Sequence, residues 1–437
     1  MKRLVILICV IYIASLTACS DSNKDSDSEK TVTALAAYMA AISKIWEKKT
    51  IADLSGPFLH LCDSYAGKEP SCSNCPGTNP EFAFFVKRGD PTKLMVFFMG
   101  GGACWSITNC VYNHTYSEDL FESVMLLGLV SSGAGKSRGA GGFIDTTNPD
   151  NPFRDWTIVY VPYCTGDLGA GQKDKDYMDD YSPEPIPNVT IRHRGAVNLS
   201  LVVQWMRENI PSAAVTHLFV TGLSAGSYAS LLAFPYIRTE YSAATTACYL
   251  GDAGVGFTPA TDAWGNTFTD IANVNWGVVL PVDVFGTTDI STFPTYKELV
   301  YAGVNHYLGA ATGERFAQYT TKYDKTQTWF YNIQVEDHIN YPNFWGSESG
   351  ADPDLWVYQD WSDGMYDDSG TTGAIQIELP NYAYYIGAGT DHTIIFYNKT
   401  YTETSGGTSF VGWVDSLVNG AMPASTACSE PNCGALF

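Results

Sequence analysis

The stretch "THLFVTGLSAGSYAS", residues 216 to 230, constrains the fold more than any other. An apolar run rich in β-branched and aromatic residues leads into Gly222-x-Ser224-x-Gly226, and helical spacing begins directly after it. The glycines let a strand turn so sharply into a helix that the serine side chain stands clear of both. A strand that feeds a helix this way needs a sheet covered by helices, which predicts an α/β architecture.

Other segments agree. Short apolar runs bounded by turn signals predict strands at 82–86, 94–99, 157–161, 217–221, 246–250, 329–335 and 382–386. "GAVNLSLVVQWMREN", residues 195 to 209, has helical spacing and ends before Pro211; "AGSYASLLAFPYIRTEY" continues from the serine turn. One α/β domain is expected over residues 32–437, with a mostly parallel sheet and helices on both faces. The span 257–325 lacks this alternation and is rich in Thr, Asn, Trp and Tyr, so it reads either as an inserted cap or as long surface loops.

A serine hydroxyl is a weak nucleophile and needs a base held by a third group. Three histidines follow Ser224: His306 in the cap region, His338 after a predicted strand, and His392 in "YYIGAGTDHTIIF". His392 follows the last apolar strand and is the expected base. Asp337, at the end of the predicted strand 329–335, is the expected acid, and Glu336 points to the opposite side if alternation persists. Asp252, closing the strand after the nucleophile helix, competes for the role; Asp391 is poorly placed to orient its neighbour's ring. Negative charge on the reacting carbonyl oxygen calls for main-chain donors. Ala225 offers one, and Gly101 and Gly102 of "VFFMGGGACW" offer the others.

The chain starts with Lys2 and Arg3, an apolar run from Leu4 to Leu16, and Leu16-Thr17-Ala18-Cys19. This is read as a lipoprotein signal over residues 1–18, lipidation of Cys19 and a tether over 19–31. The expected location is a bacterial cell envelope or the exterior, with membrane contact only through that lipid. Nine cysteines follow Cys19 (11 in all, less Cys9 and Cys19), which predicts disulfides, with Cys104–Cys110 and Cys428–Cys433 the best local pairs. Cys72-x-x-Cys75 lacks the other two ligands of a zinc site, so no metal is expected. A net charge of −21 argues against nucleic acid as a partner. A monomer without cofactor is expected.

The ordered set "GGGACWSITNC", "VYVPYCTGD", "GLSAGS", "DAGVGF", "NIQVEDHINY", "GAGTDHTI" and "GWVDSLVNG" resembles the pectin acetylesterase family, from about Ser55 to Met422. The resemblance implies an α/β-hydrolase fold and a metal-free serine carboxylesterase. It implies Ser224 as nucleophile, Asp337 as acid, His392 as base, and the glycine-loop and Ala225 amides as oxyanion donors. Where plant members read GGGWC, this chain has Ala103 before Cys104 and carries its tryptophan at Trp105, which leaves open the loop amides and the aromatic wall. Tyr163, Cys164 and Asp167 of "PYCTGDLGAG" are read as structural. Acetyl groups on a polysaccharide are the expected substrate; a lipid-acyl or polyester substrate, or a non-catalytic glycan- or lipid-binding lipoprotein, is the alternative.

Overall fold

The computed structural model describes residues 45–74, 80–112, 114–117, 141–178, 188–262, 265–309, 313–335 and 355–434. The chain divides into two compact units, Met1–Glu47 and Lys48–Phe437. The expected signal, lipidation and tether segments all lie outside the described residues. Among the described residues no helix is long and apolar enough to cross a membrane.

Nine strands make the central sheet: β1 (Trp46–Lys49), β2 (Phe84–Lys87), β3 (Asp90–Phe98), β4 (Trp156–Val161), β5 (His217–Leu223), β6 (Thr246–Asp252), β7 (Arg315–Thr321), β8 (Tyr382–Gly387) and β9 (Thr426–Ala427). Their spatial order is β1-β2-β4-β3-β5-β6-β7-β8-β9. β2 pairs antiparallel with β4, and the pairings from β4 across to β9 are parallel. Residues of both parities are buried along β4, β5, β6 and β7, as a sheet covered on two faces requires.

The long helices are α1 (Gly195–Asn209), α2 (Ala225–Glu240), α3 (Tyr296–His306), α4 (Lys325–Val335), α5 (Leu355–Met365) and α6 (Phe410–Asn419). Alternation along β7 shows the two layers. Phe316 meets Phe234 of α2, with ring centroids 4.9 Å apart, whereas Tyr319, of opposite parity, meets Phe410 of α6 at 4.9 Å.

The predicted strand at 329–335 is instead part of helix α4. "WFYNIQV" is a short aromatic and β-branched run, a pattern that serves a buried helix as well as a strand. The strand occupying this place in the sheet is β7, which lies inside the span expected to be cap or surface loop. Its polar residues obscure it in the sequence, yet Gln318, Thr320 and Thr321 are buried, and Gln318 receives Tyr382 Oη at 2.6 Å and donates to the Gly254 carbonyl at 3.2 Å. The rest of that span holds α3 and shorter helical turns, including Phe268–Ile271.

Candidate active site

The carboxyl ends of the parallel strands are in register. Phe98 of β3 stands beside Gly222 of β5, Leu223 beside Asp252 of β6, and Asp252 beside Tyr319 of β7. The loops leaving this edge therefore converge, and each carries a residue of the site.

Ser224 sits between β5 and α2 with φ of 53° and ψ of −124°. A serine rarely holds a positive φ, and the surroundings enforce it. A Cβ on Gly222 would lie 2.1 Å from the Gly226 carbonyl oxygen, and one on Gly226 would lie 2.2 Å from that of Phe98. The strand and helix thus pass so closely that only hydrogen fits at either glycine, and the serine is raised at the crest. Its amide donates to the Asp252 carbonyl at 2.7 Å.

His392 follows β8. Its Nδ1 donates to both carboxylate oxygens of Asp324, at 2.9 Å each. Because a carboxylate only accepts, Nδ1 carries the proton and Nε2 is left as the basic nitrogen. Nε2 is buried and has no hydrogen-bond partner among the described residues, Ser224 included.

Asp324 is fully buried, stands between the turn that follows β7 and the start of α4, and caps that helix. Its Oδ1 accepts the amides of Thr326 and Gln327, and its Oδ2 accepts Gln327 Nε2 at 2.9 Å. Gln327 in turn receives the Val255 amide on its own oxygen. Sequence reasoning missed Asp324. The signal was Asp324-x-x-Gln327 ahead of a helical pattern, a helix-start signature. Asp337, the expected acid, lies outside the described residues, as do Glu336 and His338. Asp324 follows β7, the strand that precedes β8 and the His392 turn.

Asp252, the competing acid, does not touch the imidazole by hydrogen bond. Its Oδ2 accepts the amides of Ile394 and Ile395, at 2.7 and 2.9 Å. Burial pushes its carboxyl up to about 7, opposed by those two amides and the His392 ring and reinforced by the Asp324 charge. Asp391 is turned away, paired with Lys399 at 3.2 Å, and His306 lies at the end of α3.

In the glycine loop, the amides of Ala103 and Cys104 are committed to the carbonyls of Thr115 and Gly166. Gly102, with φ of 79°, lines the same cavity as Ser224, Ala225 and His392. Gly101 is packed against the Tyr163 ring, 2.5 Å from where a Cβ would stand, and is not among the cavity-lining residues. Cys104 and Cys110 are bonded, as are Cys428 and Cys433, the two local pairs expected; Cys72 pairs with Cys164. Among the described residues Cys62 and Cys248 have no disulfide partner. Asp167 is structural as read: it accepts the amides of Gly169, Gly171 and Gly195.

The cavity encloses about 630 Å³, counting its open mouth. Its walls are mainly apolar, with Trp105, Phe268, Ile271, Trp276 and Phe330 among them. Trp105 therefore supplies an aromatic wall despite its shifted place in the sequence. Among the described residues, one cluster brings metal-ligand atoms together, Cys104, Cys110 and His193. Its two sulfurs are bonded to each other, and the His193 nitrogens face the Thr165 carbonyl and Tyr177 hydroxyl.

The sheet order, the serine turn and the Asp-held histidine at one strand edge define an α/β-hydrolase. Residues 59–275 match the family model "Pectinacetylesterase". This is the family to which the ordered motifs point, and the chain is recognised as one of its relatives. The chain is 27% identical over 141 residues to "Palmitoleoyl-protein carboxylesterase NOTUM" of Schmidtea mediterranea, a match covering 32% of this chain and 23% of that protein's length. The solved structure of "the Wnt deacylase Notum from Drosophila" shares the fold, with a TM-score of 0.52 at 17% identity, over 84% of this chain and 95% of that one. The chain thus spans about a quarter of the length of the curated relative it matches, and the pectinacetylesterase match covers residues 59–275.

Proposed function

We propose that the protein is a serine carboxylesterase working through an acyl-serine intermediate. Ser224 Oγ attacks the ester carbonyl while His392 Nε2 takes its proton and Asp324 holds the ring. The Gly102 and Ala225 amides receive the developing oxyanion, at about 3 kcal/mol for each well-aimed donor. The alcohol leaves with the proton from His392, and water activated by the same nitrogen releases the acid. The observation that carries this reading is the shared cavity of Ser224 and His392, with the imidazole already fixed in the tautomer a base requires. The open Nε2 is compatible with a base whose contact to the nucleophile tightens on substrate binding.

The apolar walls favour an acyl chain longer than acetyl. A two-carbon acyl would leave most of that surface uncovered, whereas an aliphatic chain gains about 0.8 kcal/mol per buried methylene. The names of the two relatives support the same class. Acetyl groups on a polysaccharide are the second reading, supported by the family description. An N-terminal lipid on Cys19 would place the enzyme at a bacterial cell envelope.

The test is release of p-nitrophenol from esters of increasing chain length, beside acetate release from acetylated pectin and xylan. Rates rising to medium or long chains are expected. Preference for acetyl with release from pectin or xylan would support the second reading, and equal rates for wild type and Ser224→Ala would remove the esterase proposal.

A further inference from the structure

We infer that Asp252 is a positioning residue of this site: its carboxylate clips down the loop that carries His392, while its main-chain carbonyl holds the amide of Ser224. The inference rests on the serine-esterase reading above. One residue thereby sets the spacing between nucleophile and base, although it touches neither reacting atom.

The geometry is specific. Asp252 is the last residue of β6, in register with Leu223 on one side and Tyr319 on the other, and it is wholly buried. Its carbonyl takes the Ser224 amide at 2.7 Å, and its Oδ2 takes the Ile394 and Ile395 amides at 2.7 and 2.9 Å. Between those amides and the base stands Thr393, with φ of 63°. A β-branched residue in the left-handed region is strained and persists only where the surroundings over-determine it. The two amide bonds to Asp252, with the buried Ile394 and Ile395 side chains, hold the chain in this reversal. Releasing them lets the His392 loop relax and the ring drift from the serine.

The carboxylate acts electrostatically as well. The titratable groups acting with it are His392 after β8, Asp324 after β7, and Tyr319 on β7. Negative charge on Asp252 stabilises the imidazolium that forms as Ser224 attacks, and Asp324 opposes a second charge so near its own. With its carboxyl raised to about 7, Asp252 is neutral below that pH and charged above it. Its support of the base is therefore lost as pH falls through 7. Its Oδ1 has no hydrogen-bond partner among the described residues, so an amide nitrogen there displaces no existing donor.

The experiment measures kcat and KM from pH 5 to 9 on a p-nitrophenyl ester, for wild type, Asp252→Asn, Asp252→Ala, Ser224→Ala and His392→Ala. Asn keeps an oxygen for the two amides but cannot ionise. Wild type and Asp252→Asn should converge at the acid end and diverge above pH 7, with kcat of the variant about tenfold lower and KM within about twofold. Asp252→Ala should lose more at every pH. If that variant does not fold, the Asn profile decides alone. A pH profile of Asp252→Asn superimposable on wild type would overturn the inference, as would an Ala variant with unchanged kcat. Activity retained by Ser224→Ala or His392→Ala would instead sink the serine-esterase reading itself.

Discussion

At the scale of single residues, the assignment of the acid turns on one contact. Asp324 receives the His392 Nδ1 proton while two main-chain amides and Gln327 fix its carboxylate. Replacing it with Asn puts a donor where the ring also donates and drives the imidazole to the wrong tautomer. Asp324→Asn should therefore lower kcat by roughly 10³ to 10⁴ with KM little changed, as measured by steady-state hydrolysis of a p-nitrophenyl ester. Asp337→Asn should leave kcat within a few fold; a larger loss there than at Asp324 would return the role to Asp337. The sequence pointed to Ser224 and His392 because each follows a recognisable apolar strand. Asp324 was hidden because β7 mixes Arg, Gln and Thr with its apolar residues, and most of their partners, among them the Gly254, Asp391 and Leu417 carbonyls, come from segments far away in the chain.

At the scale of elements, the β5–α2 turn is held by contacts between backbones, which have no means of yielding. A Cβ at Gly226 would stand 2.2 Å from the Phe98 carbonyl oxygen, so β3 and α2 must separate to admit it. Gly226→Ala should cost about 3 kcal/mol or more, read as a lower denaturation midpoint, and should reduce activity in the fraction that folds. A wild-type midpoint would show that the strand and helix are less closely packed than described. Helix α4 illustrates the opposite case, in which the element's type was not legible. Thr326, Phe330 and Gln334 recur at fourfold spacing along its cavity face, but the aromatic run from Trp329 fits either period over so few residues.

At the scale of the whole molecule, the Cys72–Cys164 bridge joins segments 92 residues apart and secures the loop after β4. That loop supports the site from behind: Tyr163 packs on Gly101, and Asp167 accepts the amide of Gly195, the first residue of α1. The double variant Cys72→Ala/Cys164→Ala should lose about 2–4 kcal/mol in a chemical denaturation experiment. An unchanged midpoint would mean that the long loop it closes is already constrained in the unfolded chain. The local bridges Cys104–Cys110 and Cys428–Cys433 close loops of only a few residues, and their spacing made them readable in advance. No spacing rule could have matched Cys72 with Cys164.

What the sequence determined by itself is what short-range chemistry encodes: the strand–glycine–serine–helix turn, most of the apolar strands of the sheet, the glycine loop and the local disulfides. Each depends on residues adjacent in the chain and on the steric freedom or periodicity they carry. Only the tertiary structure decided that Asp324 meets His392, that Asp252 serves the loop instead of the ring, and that the walls of the cavity are apolar. Those outcomes depend on strand order and register, which bring carboxyl ends together across the sheet after the chain has travelled far between them.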